Sequence, residues 1–287
     1  MRIKARAKIN WTLDILGQRE DGYHLMDMLM QSVTLADTIT LTPASELSIT
    51  TGGYPKLPAN ERNLAYRAAL ALHEATGCRR GAAIHVEKRI PVGAGMGGGS
   101  ADAAGVLAGL NQMWETGLNQ QQLEDIGLTL GADVPFCLRG GLTRTTGIGE
   151  TMVSLPCGRH YDLVIIQPCR GLSTGAVFTA YHEKADIPRP ATDDAQRALE
   201  NGDAALLCAS LGNVLQAVSQ DMRPPIADAI AALKKRGALT ALMTGSGSAV
   251  FGVFDSEAAA RDAARSLRSR WASTFYCRTC QESILTV

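Results

Sequence analysis

The feature that most constrains this chain is the stretch PVGAGMGGGSA at residues 91–101, in which five of eleven residues are glycine. Glycine loses more conformational freedom on folding than any other residue, so ordering this stretch is costly. A strand-like run precedes it and an alanine-rich run follows it. The pattern therefore predicts a strand, a glycine loop and a helix, with the loop backbone lying close to a ligand.

Several interpretations of the loop compete. Gly93, Gly95 and Gly98 match the spacing of a dinucleotide-binding turn, but the preceding strand is charged and half-exposed instead of buried. A Walker-type loop needs a lysine before Ser100, and none is there. A glycine-rich hairpin without a ligand is the third possibility. A fourth is a polyphosphate site built from loop N–H groups and the N-terminus of a helix that begins near Ser100. Ser100 would cap this helix and offer its hydroxyl to phosphate or metal.

Composition sets the broad class. The 287 residues are 46% apolar and 20% charged, which is typical of a soluble globular protein of one or two domains. Lys plus Arg equals Asp plus Glu at 28 each, so neither nucleic acid nor an anionic membrane is expected as partner. The alternating N-terminus reads as a strand, not a targeting signal, and seven cysteines favour a reducing compartment. We expect a cytoplasmic protein.

Patterning predicts two α+β halves that meet near residues 155–160. The first half, 1–157, is β-rich with half-exposed strands, and the second, 158–287, opens on the apolar strand YDLVIIQP. A cleft is expected between them. Strands are predicted at 2–16, 32–50, 83–90, 140–155 (a hairpin), 161–168, within 238–254 on both sides of a glycine turn, and at the C-terminus; helices are predicted after caps at Asn63 and Asn119, and at 101–114, 174–184, 193–219, 225–236 and 256–270.

Four stretches carry a family resemblance. PVGAGMGGGSADAA resembles the phosphate-binding motif of the GHMP kinases, and AKINWTLDILGQREDGYH, LGADVPF and LMTGSGSAVFG resemble three further motifs of that family. They occur in the expected order and span nearly the whole chain. The departures are Trp11 and Met96, where leucine is usual, and Ala101, where serine is usual.

The resemblance implies a fold and an activity. The fold would be α+β, with an N-terminal domain like domain 2 of ribosomal protein S5, a ferredoxin-like C-terminal domain and the active site between them. The motifs are nearest to the family members that use ATP to phosphorylate the 2-hydroxyl of 4-diphosphocytidyl-2-C-methyl-D-erythritol, on the non-mevalonate route to isoprenoids. Mg²⁺ would accompany ATP, and the protein would be a monomer or a weak homodimer.

The resemblance also assigns roles to residues. Asp133 would accept the proton of the substrate hydroxyl, and Lys8 would lie beside it, keep it ionised and stabilise the moving phosphoryl group. Asn10, two residues after Lys8 on a strand, would project into the same pocket. Asp102 is expected to face away from the phosphates. The predicted ATP contacts are Asn63, Lys88, Pro91, Val92, Gly93, Ala94, Gly95, Met96, Gly97, Gly98, Gly99, Ser100 and Ala101.

The turn Asp21-Gly22-Tyr23-His24 would recognise the cytidine diphosphate group of the substrate. Tyr23 would stack on the cytosine, and His24 would bind the edge of the base, which is the contact that discriminates. Phe178 would cover the other face, Thr174 would lie near the ribose, and Gly245 and Ser246 would receive the diphosphate or the accepting end.

Three other functions remain open at this point: another GHMP kinase, an inactive nucleotide-binding regulator on the same fold, and an oxidoreductase. No carboxylate of the sequence is indicated as a magnesium ligand.

Overall fold

The protein is described from a computed structural model, which covers residues 1–54, 56–182, 184 and 186–287. It has mixed helix and strand elements, as the sequence predicts. The strands are β1 (Arg2–Gln18), β2 (His24–Ala44), β3 (Leu47–Gly52), β4 (Gly81–Glu87), β5 (Leu142–Gly147), β6 (Thr151–Leu155), β7 (Asp162–Ile166), β8 (Gly212–Asn213), β9 (Thr240–Met243), β10 (Val250–Phe254), β11 (Thr274–Arg278) and β12 (Ile284–Thr286).

Local signals account for where several helices begin. Asn63 caps the first helix by accepting from Ala65 N at 3.0 Å, and Gly77 ends it in the left-handed conformation. Asn119 forms a reciprocal capping box with Gln122. The helices are α1 (Leu64–Thr76), α2 (Gly98–Trp114), α3 (Gln120–Leu130), α4 (Val134–Arg139), α5 (Thr174–His182), α6 (Thr192–Asn201), α7 (Ala204–Ser210), α8 (Gln216–Met222), α9 (Pro225–Lys235) and α10 (Glu257–Leu267).

Within the described residues, eight strands form a first sheet with the central order β12-β1-β2-β4-β3. β5 extends it from β2, β6 pairs with β5, and β8 pairs in parallel with β1. The helix α2 packs on this sheet through Gly109, where a Cβ would lie 2.4 Å from the Ile3 side chain. The prediction of half-exposed strands is wrong for β1, because it lies inside the sheet and residues 7–15 are all buried.

The second sheet is antiparallel, in the order β11-β7-β10-β9. In chain order these strands are the fourth, first, third and second, with α10 between the third and fourth, which is the ferredoxin-like arrangement expected from the resemblance. The α+β prediction is confirmed. The predicted division at 157/158 stays a prediction, and β8 and β12, both beyond it, pair with β1 of the first sheet.

Several segments differ from the sequence prediction. The helical stretch predicted over 193–219 is three helices, broken at Gly202 and by β8. Residues 24–31 were not predicted as a strand because their run LMDMLM is nearly continuously apolar, although they form the buried first part of β2.

The two sheets share a core at Trp11 of β1. Its indole is fully buried, and its ring centroid lies 5.4 Å from that of Tyr161 and 5.5 Å from that of Phe251, both in edge-on geometry. Tyr161 directly precedes β7 and Phe251 belongs to β10. Trp11 therefore joins the first sheet to the second next to the strand residues that were predicted to be catalytic.

We predict that Trp11→Ala lowers the free energy of unfolding by about 3 to 5 kcal/mol, because it leaves a large cavity between the sheets. Leu16→Ala is the matched control, since Leu16 lies on the same strand with 60% of its surface exposed, and we expect a change of about 0.5 kcal/mol or less. Chemical denaturation measures both. Equal losses for the two variants would contradict a shared core at Trp11.

Candidate active site

The glycine loop is held from both sides by backbone hydrogen bonds. Lys8 N of β1 donates to Met96 O at 3.1 Å, and Ala249 N, next to β10, donates to Ala94 O at 3.1 Å. The loop is therefore fixed where the two sheets meet. The helix α2 begins at Gly98, after Gly97 in the left-handed conformation with φ 68°.

The prediction that Ser100 caps this helix is wrong. Gly97 is the N-cap, and Ser100 lies in the first turn. A glycine takes the left-handed conformation without steric cost, so the helix begins three residues earlier than it would after a Ser100 cap. The Ser100 hydroxyl is therefore not used as a helix cap.

A cleft of about 350 Å³ opens over the loop. Every predicted ATP contact lines it except Ala101. The Ala101 side chain is buried with 1% exposure, and its N–H donates to Gly97 O at 2.8 Å, so neither faces a phosphate. We call this space the donor cleft; its lining residues are Leu57, Pro58, Arg62, Asn63, Leu64, Lys88, residues 91–100 and Asp102.

Two predicted donor-cleft residues already have protein partners. The Asn63 side chain donates to Pro58 O at 2.8 Å while it caps α1. The Lys88 ammonium binds the carboxylates of Asp37 and Asp102, the latter at 2.6 Å. Their contact with ATP stays a prediction. Asp102 binds Lys88 and also lines the donor cleft, so the expectation that it faces away from the phosphates stays a prediction.

Asp37 was missed by sequence reasoning, and it supports the loop from below. Its Oδ1 accepts from the backbone N–H groups of Arg89 and Ile90, and its Oδ2 accepts from Lys88. It is completely buried on β2. An aspartate within an apolar strand pattern, Leu35 to Leu41, was the available signal, because a buried carboxylate needs partners.

Two carboxylates share one ammonium in this network, which affects how they ionise. Burial raises the pKa of Asp102 to about 8, against the opposing attraction of Lys88. Burial lowers the pKa of Lys88, but the attraction of Asp102 and Asp37 outweighs it and raises the pKa above its ordinary value. Asp102 Oδ1 is buried and has no hydrogen-bond partner within the described residues. Burial therefore favours the protonated form of Asp102, and the ion pair with Lys88 opposes it.

A second cleft, of about 480 Å³, lies on the other side of the loop, and we call it the acceptor cleft. Gly95 and Ser100 line both clefts, so the two spaces meet there. All nine residues predicted to be catalytic or substrate-binding line the acceptor cleft. They are Lys8, Asn10, Tyr23, His24, Asp133, Thr174, Phe178, Gly245 and Ser246.

Lys8 and Asp133 form an ion pair in the acceptor cleft. Lys8 Nζ lies 3.6 Å from Asp133 Oδ2 and donates to Asn10 Oδ1 at 2.8 Å, which confirms that Lys8 and Asn10 share a face. The pairing of β1 with β2 shifts register on both sides of the segment from Lys8 to Asn10. One shift lies between Arg6 and Lys8 and the other between Asn10 and Thr12. Such irregularities bend a strand, and here the Lys8 N–H donates to Met96 O of the glycine loop.

Asp133 precedes α4, a short helix that the sequence analysis did not predict. The helix begins at Val134, and Pro135 is compatible with its first turn because a missing N–H costs nothing there. Asp133 is the N-cap residue but makes no side-chain cap bond. Its carboxylate, with 37% of the side chain exposed, therefore points to Lys8 and the acceptor cleft.

The far end of the acceptor cleft is aromatic. The rings of His24 and Phe178 stack with centroids 4.4 Å apart, whereas Tyr23 lies at the rim with 59% exposure. Phe178 thus covers the His24 ring. Thr174 and Ser246 bond through their hydroxyls at 3.1 Å, which joins α5 to the second glycine turn.

The described residues offer no ready-made metal site. Among the side chains that the structure describes, no group of three or more His, Cys, Asp or Glu residues is arranged to hold an ion. Asp102 and Asp133 each face a lysine. Mg²⁺ in nucleotide sites keeps several waters and is bound largely by substrate phosphates, so the residues present do not specify a protein cage for it.

Comparison with known proteins identifies the family. The profile of the GHMP kinases N terminal domain matches residues 63–141, and that of the GHMP kinases C terminal domain matches residues 195–273. The chain belongs to the GHMP kinase family. The first match contains the glycine loop and Asp133 of this GHMP kinase, and the second contains the glycine turn with Gly245.

Curated relatives of this GHMP kinase carry one enzyme name. The 4-diphosphocytidyl-2-C-methyl-D-erythritol kinase of Symbiobacterium thermophilum is 45% identical over 263 residues, which cover 91% of this chain and 93% of the relative. The protein of that name from Pelotomaculum thermopropionicum is 46% identical over 269 residues, covering 92% and 93%. The expected resemblance is confirmed.

Solved structures agree. A crystal structure of 4-(cytidine 5'-diphospho)-2C-methyl-D-erythritol kinase superposes with a TM-score of 0.84 at 33% identity, covering 97% of this chain and 99% of the other. The homoserine kinase of Cytophaga hutchinsonii gives 0.78 at 19% identity, covering 100% and 97%, which shows a shared fold alone. No helix of the described residues is both long and apolar enough to cross a membrane.

We predict that Asp102→Asn flattens the pH dependence of stability. The folded-state pKa of about 8 lies above the ordinary value of 3.8, so the folded state holds a proton that the unfolded chain releases. This contribution is complete below about pH 4 and is lost as the pH rises through about 8. Unfolding free energies measured from pH 4 to 9 should fall less for the variant than for the wild type.

The control for this prediction is Asp255→Asn, which changes an exposed carboxylate outside the clefts. Its stability curve should run parallel to that of the wild type. If Asp102→Asn also runs parallel, then Asp102 does not hold a proton in the folded protein.

Proposed function

We infer that this GHMP kinase transfers the γ-phosphoryl group of ATP to the 2-hydroxyl of 4-diphosphocytidyl-2-C-methyl-D-erythritol, a step of the non-mevalonate route to isoprenoid precursors. The observation that carries this is the identity of 42 to 46% with enzymes of that name over more than nine tenths of the chain. The site agrees with it, because a phosphate loop and a Lys8–Asp133 pair meet between two clefts.

The donor cleft would bind ATP through backbone N–H groups. The loop presents main chain without side chains at Gly97, Gly98 and Gly99, and the N-terminus of α2 opens onto it, which favours the negative charge of a polyphosphate. Mg²⁺ would arrive with the nucleotide and neutralise part of that charge. The chain's own contribution is the placement of the γ-phosphate next to Gly95 and Ser100, where the clefts join.

Phosphoryl transfer passes through a loose transition state, so alignment and charge stabilisation matter more than strong base catalysis. Asp133 would bind the acceptor hydroxyl and take its proton as the bond from oxygen to the γ-phosphorus forms and the bond to the β,γ-bridging oxygen breaks. The Lys8 ammonium, held by Asn10, would stabilise the charge on the moving group. ADP then leaves from the donor cleft.

The aromatic end of the acceptor cleft would bind the cytidine. Base stacking contributes about 1 to 3 kcal/mol and does not distinguish one base from another, so Tyr23 and Phe178 would supply affinity and His24 discrimination. We propose that Thr174 lies near the ribose, and that Gly245 and Ser246 hold the diphosphate or the accepting end. The Thr174–Ser246 hydrogen bond supports a shared task for these two residues.

We further propose that the enzyme works in the cytoplasm as a monomer or weak homodimer. All seven cysteines are free thiols in the structure, which is compatible with a reducing compartment.

We predict that the purified protein forms ADP when ATP and 4-diphosphocytidyl-2-C-methyl-D-erythritol are both present, and that Asp133→Asn lowers kcat by about 10² to 10⁴-fold, because the hydroxyl loses its proton acceptor. Asp255→Asn should keep wild-type kcat. A coupled ADP assay measures all three proteins, with homoserine and mevalonate as competing acceptors.

The assay also separates the alternatives. No ADP above background with the cytidine substrate would refute the proposed activity, and turnover of homoserine or mevalonate instead would assign the chain to another branch of the family. Undiminished turnover by Asp133→Asn would remove the proposed role of that residue.

A further inference from the structure

The second glycine turn, residues 244–248, lines the acceptor cleft and touches the phosphate loop. Gly245 has φ 57°, and a Cβ on it would lie 2.7 Å from Gly95 O. A Cβ on Gly95 would in turn lie 2.4 Å from Thr244 O. The two glycine segments therefore pack main chain against main chain, and a displaced turn changes the point where the clefts meet.

The side chain of Asn213 on β8 holds this turn. Its Nδ2 donates to Met243 O at 2.9 Å and to Gly245 O at 2.8 Å, while its Oδ1 accepts from Leu215 N at 3.0 Å. Both amide hydrogens and the amide oxygen are thus used, in a side chain that is 7% exposed. Aspartate has the same shape but offers no donor to the two carbonyl groups.

The residues around Asn213 add further ties to the turn. Ser219 Oγ, completely buried on α8, donates to Ser246 O at 3.2 Å, and Gln216 Oε1 accepts from Met243 N at 2.9 Å. We call residues 212–219 the support segment. The support segment thus binds the carbonyl oxygens of both Gly245 and Ser246.

The support segment also binds the strand that carries Lys8. β8 pairs in parallel with β1, with Leu13 opposite Asn213, and Val214 N donates to Leu13 O at 3.0 Å. From the same strand, Asn10 N donates to Thr244 Oγ1 at 3.0 Å. The distance between the turn and the Lys8–Asp133 pair is therefore set by two connections to β1, one of which passes through Asn213.

We propose that Asn213 is a positioning residue for phosphoryl transfer, which holds the Gly245–Ser246 turn so that the bound acceptor meets the γ-phosphate at Lys8 and Asp133. This inference rests on the proposed function. Asn213 is not among the described residues that line either cleft. It acts through the turn, and its loss affects the acceptor more than ATP, because the glycine loop keeps its own bonds at Ala94 and Met96.

The test compares Asn213→Asp with a matched asparagine far from the clefts. Asn111, at the end of α2, holds a loop in the same manner, since its Nδ2 donates to Leu118 O at 3.0 Å and its Oδ1 accepts from Leu118 N at 3.0 Å. The measurements are kcat, the KM for each substrate and the melting temperature, for wild type, Asn213→Asp and Asn111→Asp.

We expect Asn213→Asp to lower kcat/KM for the cytidine acceptor by at least about 10-fold, since a misplacement of about 1 Å can cost about 10²-fold in rate. Its KM for ATP should stay within about twofold of wild type. Asn111→Asp should lower the melting temperature and leave all the kinetic constants within about twofold. This split would support positioning, because a purely structural role lowers stability in both variants without separating acceptor from ATP.

Wild-type acceptor kinetics in Asn213→Asp would overturn the inference. So would a KM for ATP that rises as much as the KM for the acceptor. If Asn213→Asp does not fold, Ser219→Ala decides, since it removes one bond to Ser246 O: a loss of at least about twofold in acceptor kcat/KM supports the inference, and none overturns it. Absence of turnover in the wild type would refute the proposed function itself, which is a separate outcome from unchanged kinetics in the variants.

Discussion

The close approach of the glycine loop to the Lys8–Asp133 pair is the constraint on which the rest of the site depends. A Cβ on Gly97 would lie 3.2 Å from Lys8 Cγ and 3.6 Å from Asp133 Oδ2, so the loop backbone lies directly over the ion pair. A Cβ there would crowd Lys8, and the left-handed φ of 68° also favours glycine. The strand irregularities beside Lys8, the early start of α2 and the short helix after Asp133 all serve the same junction.

The electrostatics follow from that arrangement. A Walker-type loop carries its own lysine, whereas the lysine beside this loop, Lys8, lies on a strand about 90 residues earlier in the chain. The other buried lysine, Lys88, is held by Asp37 and Asp102 beneath the loop. The chain has no net formal charge, so the attraction for a polyphosphate comes from Lys8, the loop N–H groups and the N-terminus of α2.

The sequence was most informative where local rules determine the outcome. The caps at Asn63 and Asn119, the hairpin of β5 and β6, and the strand, turn and strand around Gly245 were predicted from residues within a few positions of each other. The nine predicted residues that line the acceptor cleft were grouped from the sequence. Only the family resemblance, however, linked Lys8 to Asp133 and Tyr23 to Phe178. Spacing alone supported just the shared face of Lys8 and Asn10.

What could not be predicted depends on long-range contacts. Asp37 is 51 residues from its partner Lys88, and Asn213 is 32 residues from the Gly245 carbonyl that it binds. Neither pairing leaves a periodic pattern. The return of β12 to β1 is similar, because a three-residue strand at the chain end is recognised only by the partner it pairs with. The burial of Ala101 was not predicted, because a residue in the first helical turn after a phosphate loop can face either the cleft or the core.

The central claim is that donor and acceptor meet at one point, over the Lys8–Asp133 pair. A crystal structure with a non-hydrolysable ATP analogue and the cytidine substrate tests it most directly. The account predicts the 2-hydroxyl of the acceptor at about 2.6 to 3.2 Å from an Asp133 oxygen and about 3 to 3.5 Å from the γ-phosphorus, with the γ-phosphate beside Gly95 and Ser100. An acceptor hydroxyl out of hydrogen-bond reach of Asp133, or a γ-phosphate bound away from that junction, would contradict it.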